Sequence, residues 1–418
     1  MAQTRNIEIH SGRVIDPKHG IDAQQSLYIA DGKIVGLGQA LAGFVAEQRI
    51  DASGCIVVPG LIDLAVRLPG LEGELAAAVA GGVTRLACLP DTDPPLDEPE
   101  LVERLVRRAE AAGLARVHPL GALTQGLAGE KLAEMVGLTA AGCIAFTQAN
   151  VAVKDPLSLL RAMQYAATFG YPVWLRPQDP CLARGGVAHD GEVASRFGLP
   201  GIPVVAETVA LAQFLELARA TGARLHLMRL SSAAGVAMVR AAQAAGVAVT
   251  ADVAVHHLHL SEADIGYFDA RARLDPPLRA ASDRDALRAG LADGTITAVC
   301  SDHTPVDDDG KLLPFGEAVA GATGVELLLP LTLAWASESN LPLSTALARI
   351  TCDAAAVLGL DAGHLAVGAE ADVCIFDSAA KWLVSPASLR SSGKNSPFVG
   401  RAVTAQVRCT LVAGRVVS

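Results

Sequence analysis

No cluster of lysine and arginine runs through this sequence. Its 34 basic residues are outnumbered by 44 acidic ones, for a formal charge of −10 and a pI near 5.5. That balance excludes the basic stripe that counterion release on a nucleic acid requires. Also missing is any C-x-x-C pair among the eight cysteines, Cys55, Cys88, Cys143, Cys181, Cys300, Cys352, Cys374 and Cys409. Most sit in apolar runs and read as reduced core residues, neither a zinc site nor a disulfide framework. The start, MAQTRNIEIHSGRVIDP, lacks an apolar h-region and a small-residue cleavage site, so the expected location is the cytoplasm. The most apolar window, 318–336, carries Glu326 and Pro330 near its middle. A buried helical region fits that better than a membrane span. Internal repeats and low-complexity linkers are absent too.

What is there is small and apolar: 418 residues with 40 glycines, 51% hydrophobic and 19% charged. A disordered or fibrous chain is excluded by that composition. The length exceeds one ordinary domain, yet barrels of about 250 residues fold as one unit, so one large domain with a smaller companion is expected.

Both ends have short β-like runs broken by turn signals. NIEIHSGRVID, SLYIADGKIVGLG with its Asp31-Gly32 hairpin signal, and GCIVV lie at the start; DVCIFD and AQVRCTLVAGRVVS, with a turn at Gly414, lie at the end. Neither end has enough strands to bury a face alone, which predicts one small β-sandwich built from 1–57 together with 363–418. The middle, 58–362, alternates apolar strands with amphipathic helices. Strands are expected over 61–68, 83–89, 117–123, 143–146, 172–175, 224–230, 247–253 and 295–300. Helical patterns such as PELVERLVRRAEAAG and PLSLLRAMQYAATFG fall between them, each with glycine just past its end. This is the α/β pattern of a (β/α)8 TIM barrel.

Chemistry in such a barrel sits where the strands end. At the first strand the chain reads PGLIDL-Ala65-Val66-Arg67, and farther on it reads LPDTDPPLD, HHLHLSEADI, LDPPLR, SDHTP, GHLAVGAEADVCIFD and GKNSPFVGR. In that order, across essentially the whole chain, these stretches resemble the cyclic amidohydrolases and, within them, dihydroorotase. The resemblance implies the amidohydrolase barrel and a hydrolase whose two divalent ions are held by a His-x-His pair, further histidines and carboxylates. Such ions would lower the pKa of a bridging water and polarise the ring amide.

The ligand positions implied by the resemblance are substituted throughout. His-x-His is replaced by Ala65 and Arg67, and an arginine offers no lone pair. Carboxylates after the fourth strand give way to Gln148 and Ala149, within Thr147-Gln148-Ala149-Asn150, and two further histidines to Arg176 and Arg229. The eighth-strand carboxylate Asp302 and its neighbour His303 survive as vestiges, and one ligand does not hold zinc. Substrate positions change as well: asparagines become Asp91 and Asp275, a histidine becomes Val306, and the loop that would carry a clamping arginine shrinks to Leu68-Pro69-Gly70. Asp91 and Asp275 put anions where an anionic substrate would dock.

Other residues have plainer readings. His226 is expected to be a hydrogen-bonded core residue, and His256, His257 and His259 to be structural. Asp63 reads as a structural acceptor, and Val306-Asp307-Asp308-Asp309-Gly310 as a solvated turn without the spaced ligands of a calcium loop. Arg67, Arg176 and Arg229 should converge on Asp302, and at least one is expected to pair with it, because an unpaired buried carboxylate costs on the order of several kcal/mol.

Metal-free chains of the dihydroorotase type partner aspartate carbamoyltransferase in some bacteria, and the resemblance implies such a role here: a noncatalytic assembly subunit for the transferase catalytic chain in pyrimidine biosynthesis. It implies no zinc and allows the homodimer common among related barrels; neither nucleic acid nor membrane is an expected partner. Two other readings stay open. One is a working dihydroorotase or other cyclic amidohydrolase with an atypical metal site drawn from His226, His256, His257, Asp179, Glu192 and Asp302. The other is an anion-sensing regulatory subunit gripping phosphate or carboxylate with its arginines.

Overall fold

The computed structural model describes residues 6–153 and 155–418. Residues 1–5, which open both the expected sandwich segment and the stretch read for targeting, lie outside the described residues. Eight parallel strands run in sequence order: β1 (Leu61–Val66), β2 (Val83–Cys88), β3 (Arg116–Ala122), β4 (Ala145–Thr147), β5 (Val173–Leu175), β6 (Leu225–Leu227), β7 (Val249–Ala254) and β8 (Ala298–Cys300). The ring is joined past β8 by a parallel bridge between Val66 and His303 and by backbone bonds from Arg67 N to the His303 carbonyl and from His303 N to the Ala65 carbonyl, 2.9 and 3.0 Å. β1, β2 and β8 are buried along their whole lengths, as strands covered by helices on one side and filled on the other must be.

Outside lie α1 (Leu71–Ala80), α2 (Pro99–Ala112), α3 (Met135–Ala140), α4 (Pro156–Phe169), α5 (Glu192–Phe197), α6 (Val205–Thr221), α7 (Ala233–Ala244), α8 (Ala281–Ala292), α9 (Asp308–Leu312) and α10 (Leu328–Glu338). Their ends follow local chemistry. Asp155 accepts from the amides of Leu157 and Ser158, Pro156 opens α4, and Gly170 closes it at φ 70, a conformation that costs glycine no Cβ clash. The apolar window around Glu326 becomes the buried α10 and the turn before it, where Glu326 accepts the amides of Arg390 and Ser391. Among the described residues no helix is long and apolar enough to cross a membrane.

Two further sheets flank the barrel. A four-stranded sheet, ordered Lys33–Leu37, Leu27–Ala30, Ile7–His10 and Gln48–Asp51, comes from the N-terminal region. A six-stranded sheet interleaves both ends, in the order Arg415–Val416, Ala402–Val412, Val373–Leu383, Ile56–Pro59, Arg13–Asp16 and Ile21–Gln24. Ile7, Ile29 and Ile34 from the first meet Val14, Val373 and Leu411 from the second in one apolar core. The strand Ile56–Pro59 crosses the expected boundary at 57/58, and Gly60 N bonds the Asp372 carbonyl at 2.8 Å. Four cysteines are buried, Cys55, Cys352 and Cys409 are half-buried, and Cys181 departs from the core expectation by being exposed.

Candidate functional site

The substituted positions gather at the C-terminal mouth of the barrel as an ion-pair network. Arg67, just past β1, donates from Nε and Nη2 to Asp91 Oδ2 at 3.0 and 2.9 Å and from Nη1 to Thr304 Oγ1 at 2.8 Å. Its Nη1 also lies 3.7 Å from Asp302 Oδ1. Arg229, just past β6, donates from Nη1 to Asp302 Oδ1 at 2.8 Å and from Nη2 to Asn150 Oδ1 at 2.6 Å. Arg176, just past β5, forms a two-pronged pair with Asp275, one bond at 2.8 Å, and reaches Gln178 Oε1 at 2.5 Å. Asn150 links two of these pairs, its Nδ2 lying 3.4 Å from Asp275 Oδ2. Three guanidinium charges thus face three carboxylates, and the mouth is balanced internally.

Burial makes that balance necessary. Burial alone would push the Arg229 guanidinium down, but Asp302, with Cys300, Asp252 and Asp275 nearby, raises it overall. Burial would raise Asp275, and Arg176 and Arg229 overcome it and hold the carboxyl below its ordinary value. Desolvation wins at Arg176, whose guanidinium is lowered despite Asp275. The expected pairing with Asp302 is made by Arg229. The repulsion expected from Asp91 and Asp275 is corrected: both are counter-ions to arginines at the ends of other strands, not free anions.

The backbone beneath keeps an unusual shape. Ala149, Arg229 and Asp302, at the ends of β4, β6 and β8, adopt φ 51, 55 and 47. Each costs a non-glycine residue roughly 1–3 kcal/mol, a strain that concentrates where a fold positions chemistry. The strand ends are shaped as for a site, and their side chains pair with one another.

Several expected members stand elsewhere. Ala65 is buried among the barrel's inner apolar residues. Gln148 turns aside to Thr124 Oγ1 and the Leu127 carbonyl, both at 2.8 Å. His303, expected as a catalytic vestige, is corrected to a structural role: its Nδ1 accepts from the amides of Gly324 and Val325, and its Nε2 lies 2.9 Å from Glu74 Oε2. Burial would raise Glu74, but its bonds with His303, Ser392 and Ser391 bring it down to about 2. Val306 is buried, its amide bonded to Asn395 Oδ1 at 3.1 Å. Asn395 also accepts from Thr323 and donates to the carbonyls of Thr304 and Gly321, stapling the loop after β8. Sequence reasoning passed over Asn395, although it lies in the GKNSPFVGR stretch, and Thr304, whose signal was its place two residues past Asp302.

The atypical metal set does not converge. His226 bonds Thr250 Oγ1 and Asp252 Oδ2 at 2.8 and 2.9 Å. His257 bonds the Pro277 carbonyl and His259 the Leu331 carbonyl, while Asp179 caps the amides of Cys181 and Leu182. Glu192 is exposed at the start of α5. Asp63 accepts from the amides of Ser301 and Ala65. Among the described residues no group of three or more His, Cys, Asp or Glu is arranged to hold a metal ion. The residues present do not suit a divalent cation: Asp302 already touches one guanidinium, and a second lies within 4 Å. A like charge at 4 Å costs on the order of 4 kcal/mol per unit at an effective dielectric of 20. An anion meets the opposite difficulty, because all three guanidiniums are already paired. The cavity left between Arg67, Asp91, Asn150, Asp275, Asp302 and Thr304 is 120 Å3, below the roughly 300–1,000 Å3 of ordinary ligand pockets.

Two family models match the chain, one described as dihydro-orotase-like over residues 54–235 and one as the amidohydrolase family over 195–417. A dihydroorotase-like protein of Pseudomonas putida is 45% identical over 418 residues, covering 98% of each chain. A dihydroorotase-like protein of Pseudomonas aeruginosa is 45% identical over 416 residues with the same coverage. A dihydroorotase of Syntrophotalea carbinolica is 42% identical over 418 residues, again covering 98% of each. Among solved structures, an L-hydantoinase (dihydropyrimidinase) from Arthrobacter aurescens superposes with a TM-score of 0.87 at 23% identity, over 99% of this chain and 96% of that one. That likeness is one of fold.

Proposed function

The chain belongs to the dihydroorotase-like amidohydrolases, and from that premise we propose that it is a catalytically inactive member. Its role in this reading is assembly, as the noncatalytic partner of the aspartate carbamoyltransferase catalytic chain in the cytoplasm. The observation that carries the reading is the pairing of Arg67, Arg176 and Arg229 with Asp91, Asp275 and Asp302 respectively. Cyclic amide hydrolysis at neutral pH needs a water whose pKa is lowered and a polarised carbonyl. The one carboxylate at a ligand position, Asp302, is committed to a guanidinium, and no zinc is expected to bind. Without such help the reaction runs at its unassisted rate, at least about 10⁶-fold below enzymatic ones. A fold kept without its chemistry retains value through its surface, and the name dihydroorotase-like protein borne by two relatives agrees with that reading.

Co-expression with the host's transferase catalytic chain tests the role. The expected result is a complex that co-purifies and a transferase that is less active or smaller when purified alone. A fully active transferase with no complex would overturn it. The names of relatives called dihydroorotase, at 42 and 41% identity, favour a second reading as a working hydrolase. Zinc analysis of protein purified without chelator, beside a dihydroorotate hydrolysis assay, separates the two; stoichiometric zinc with turnover supports the hydrolase.

A further inference from the structure

Two loops above the barrel mouth expose apolar side chains that the network below leaves unexplained. Tyr267 is 90% exposed and Leu312 80% exposed, and Phe268, Leu313 and Val319 are exposed with them. The loops are adjacent. Lys311 Nζ donates to the carbonyls of Ala270 and Arg273 at 3.0 and 3.2 Å, and Gly321 N bonds the Arg273 carbonyl at 3.0 Å. The acidic run, expected to be a solvated turn, is instead the exposed start of the short helix α9. Asp307, Asp308, Asp309 and the nearby Glu317 take part in no ion pair among the described residues, while Arg271 is occupied by Asp269.

We propose that these loops form a docking surface in which Tyr267, Phe268, Leu312 and Leu313, edged by Asp307–Asp309, receive a second protein whose matching face is apolar and ringed by lysine or arginine. The proposal rests on the assembly reading and says where assembly occurs. Exposed aromatic and aliphatic anchors beside a polar rim are what an unfilled interface core looks like. Uncompensated carboxylates repel nucleic acid and anionic lipid. They also repel a second copy across a two-fold axis, where the same patch would meet itself. The partner that fits is a different chain with a basic rim.

The surface is held ready. Phe268 adopts φ 60, a left-handed conformation, and packs on Phe197 at 4.8 Å between ring centroids. The same two loops carry Asp275 and Asp302 on their inner side, so Arg176 and Arg229 anchor them from below. In this arrangement the ion pairs that close the old site also stiffen the surface above it, which reduces the ordering cost of binding.

The test uses the full chain co-expressed with the transferase catalytic chain, in wild-type form and as Tyr267→Ser/Leu312→Ser, Asp307→Asn/Asp308→Asn/Asp309→Asn, and a control, Val367→Ser/Leu383→Ser, on exposed residues of the terminal β-rich region. The docking surface predicts at least tenfold weaker association for the first two and no change for the control. It also predicts a shallower loss of binding with salt for the asparagine variant. The exposed Asp→Asn changes keep the fold and serve if the apolar variant is unstable. A wild-type complex that both variants form within twofold of wild type overturns the docking surface while the assembly reading stands. No wild-type complex overturns the assembly reading itself, and this inference with it.

Discussion

Arg229 and Asp302 meet at 2.8 Å where the ends of β6 and β8 face each other, with both side chains buried and both backbones left-handed. Removing the guanidinium leaves a buried carboxylate without its nearest counter-charge, and Arg67 at 3.7 Å relieves that only in part. Arg229→Ala should therefore cost about 3 kcal/mol, at the lower edge of the range for breaking a buried pair. Replacing both members with apolar groups, Arg229→Met with Asp302→Leu, should fall within about 1 kcal/mol of the parent, because the desolvation penalty disappears with the charges. Urea denaturation of the single and double variants measures both. A double variant as unstable as the single one would mean that the cost lies in packing.

Arg67 and Asp91 offer a milder case. Their side chains are 17 and 22% exposed, so screening reduces the pair's worth. A double-mutant cycle with Arg67→Ala and Asp91→Ala should give a coupling of about 1–2 kcal/mol, above the surface median and below a fully buried pair. A coupling near zero would make the two substitutions independent neighbours.

Reinstating the missing histidines should not by itself restore a metal centre. In Ala65→His/Arg67→His the paired side chains would point into the mouth, but Arg176 and Arg229 would still place two positive charges beside Asp302 and Asp275. Zinc content after dialysis should stay well below one equivalent per chain and rise only when Arg176 and Arg229 are also changed to histidine. Elemental analysis of the two variants decides this, and a full equivalent in the first would show that the guanidiniums swing aside.

Much of this architecture is legible in the sequence. Alternating apolar strands and helices with glycine stops located the barrel strands to within a few residues, because a parallel strand buried on both faces is written as a near-continuous apolar run. The arginines at 67, 176 and 229 announced themselves through motif position. Their partners were harder to read. Asp91 and Asp275 are separated in sequence from Arg67 and Arg176 by 24 and 99 residues, and only the parallel stacking of β1 on β2 and the fold of the loop after β7 bring each acid to its base. A pattern-based reading therefore took the acids for repellents of a substrate. His303 is a different case: successive side chains of an extended segment point to opposite sides, so the neighbour of Asp302 turns away from the mouth, toward Glu74.

The buried histidines set the acid limit of the fold. Burial, first among the causes, pushes His256 and His257 down from 6.5 to about 3 and His118 to about 4. Between those values and pH 6.5 the unfolded chain binds protons that the folded chain refuses. Stability therefore falls as the pH drops through that window. Asp63 works the other way: burial raises it from 3.8 to about 6, so between those values the folded chain holds the extra proton and gains. Burial lowers His189 and His259 as well and raises Glu326, so five histidines against two carboxyls give a net loss. The urea midpoint should decline from pH 7 to pH 4.5, and His256→Gln, which removes a ring whose Nε2 has no partner among the described residues, should flatten the decline. A midpoint that stays level or rises on acidification would place Asp63, rather than the histidines, in control.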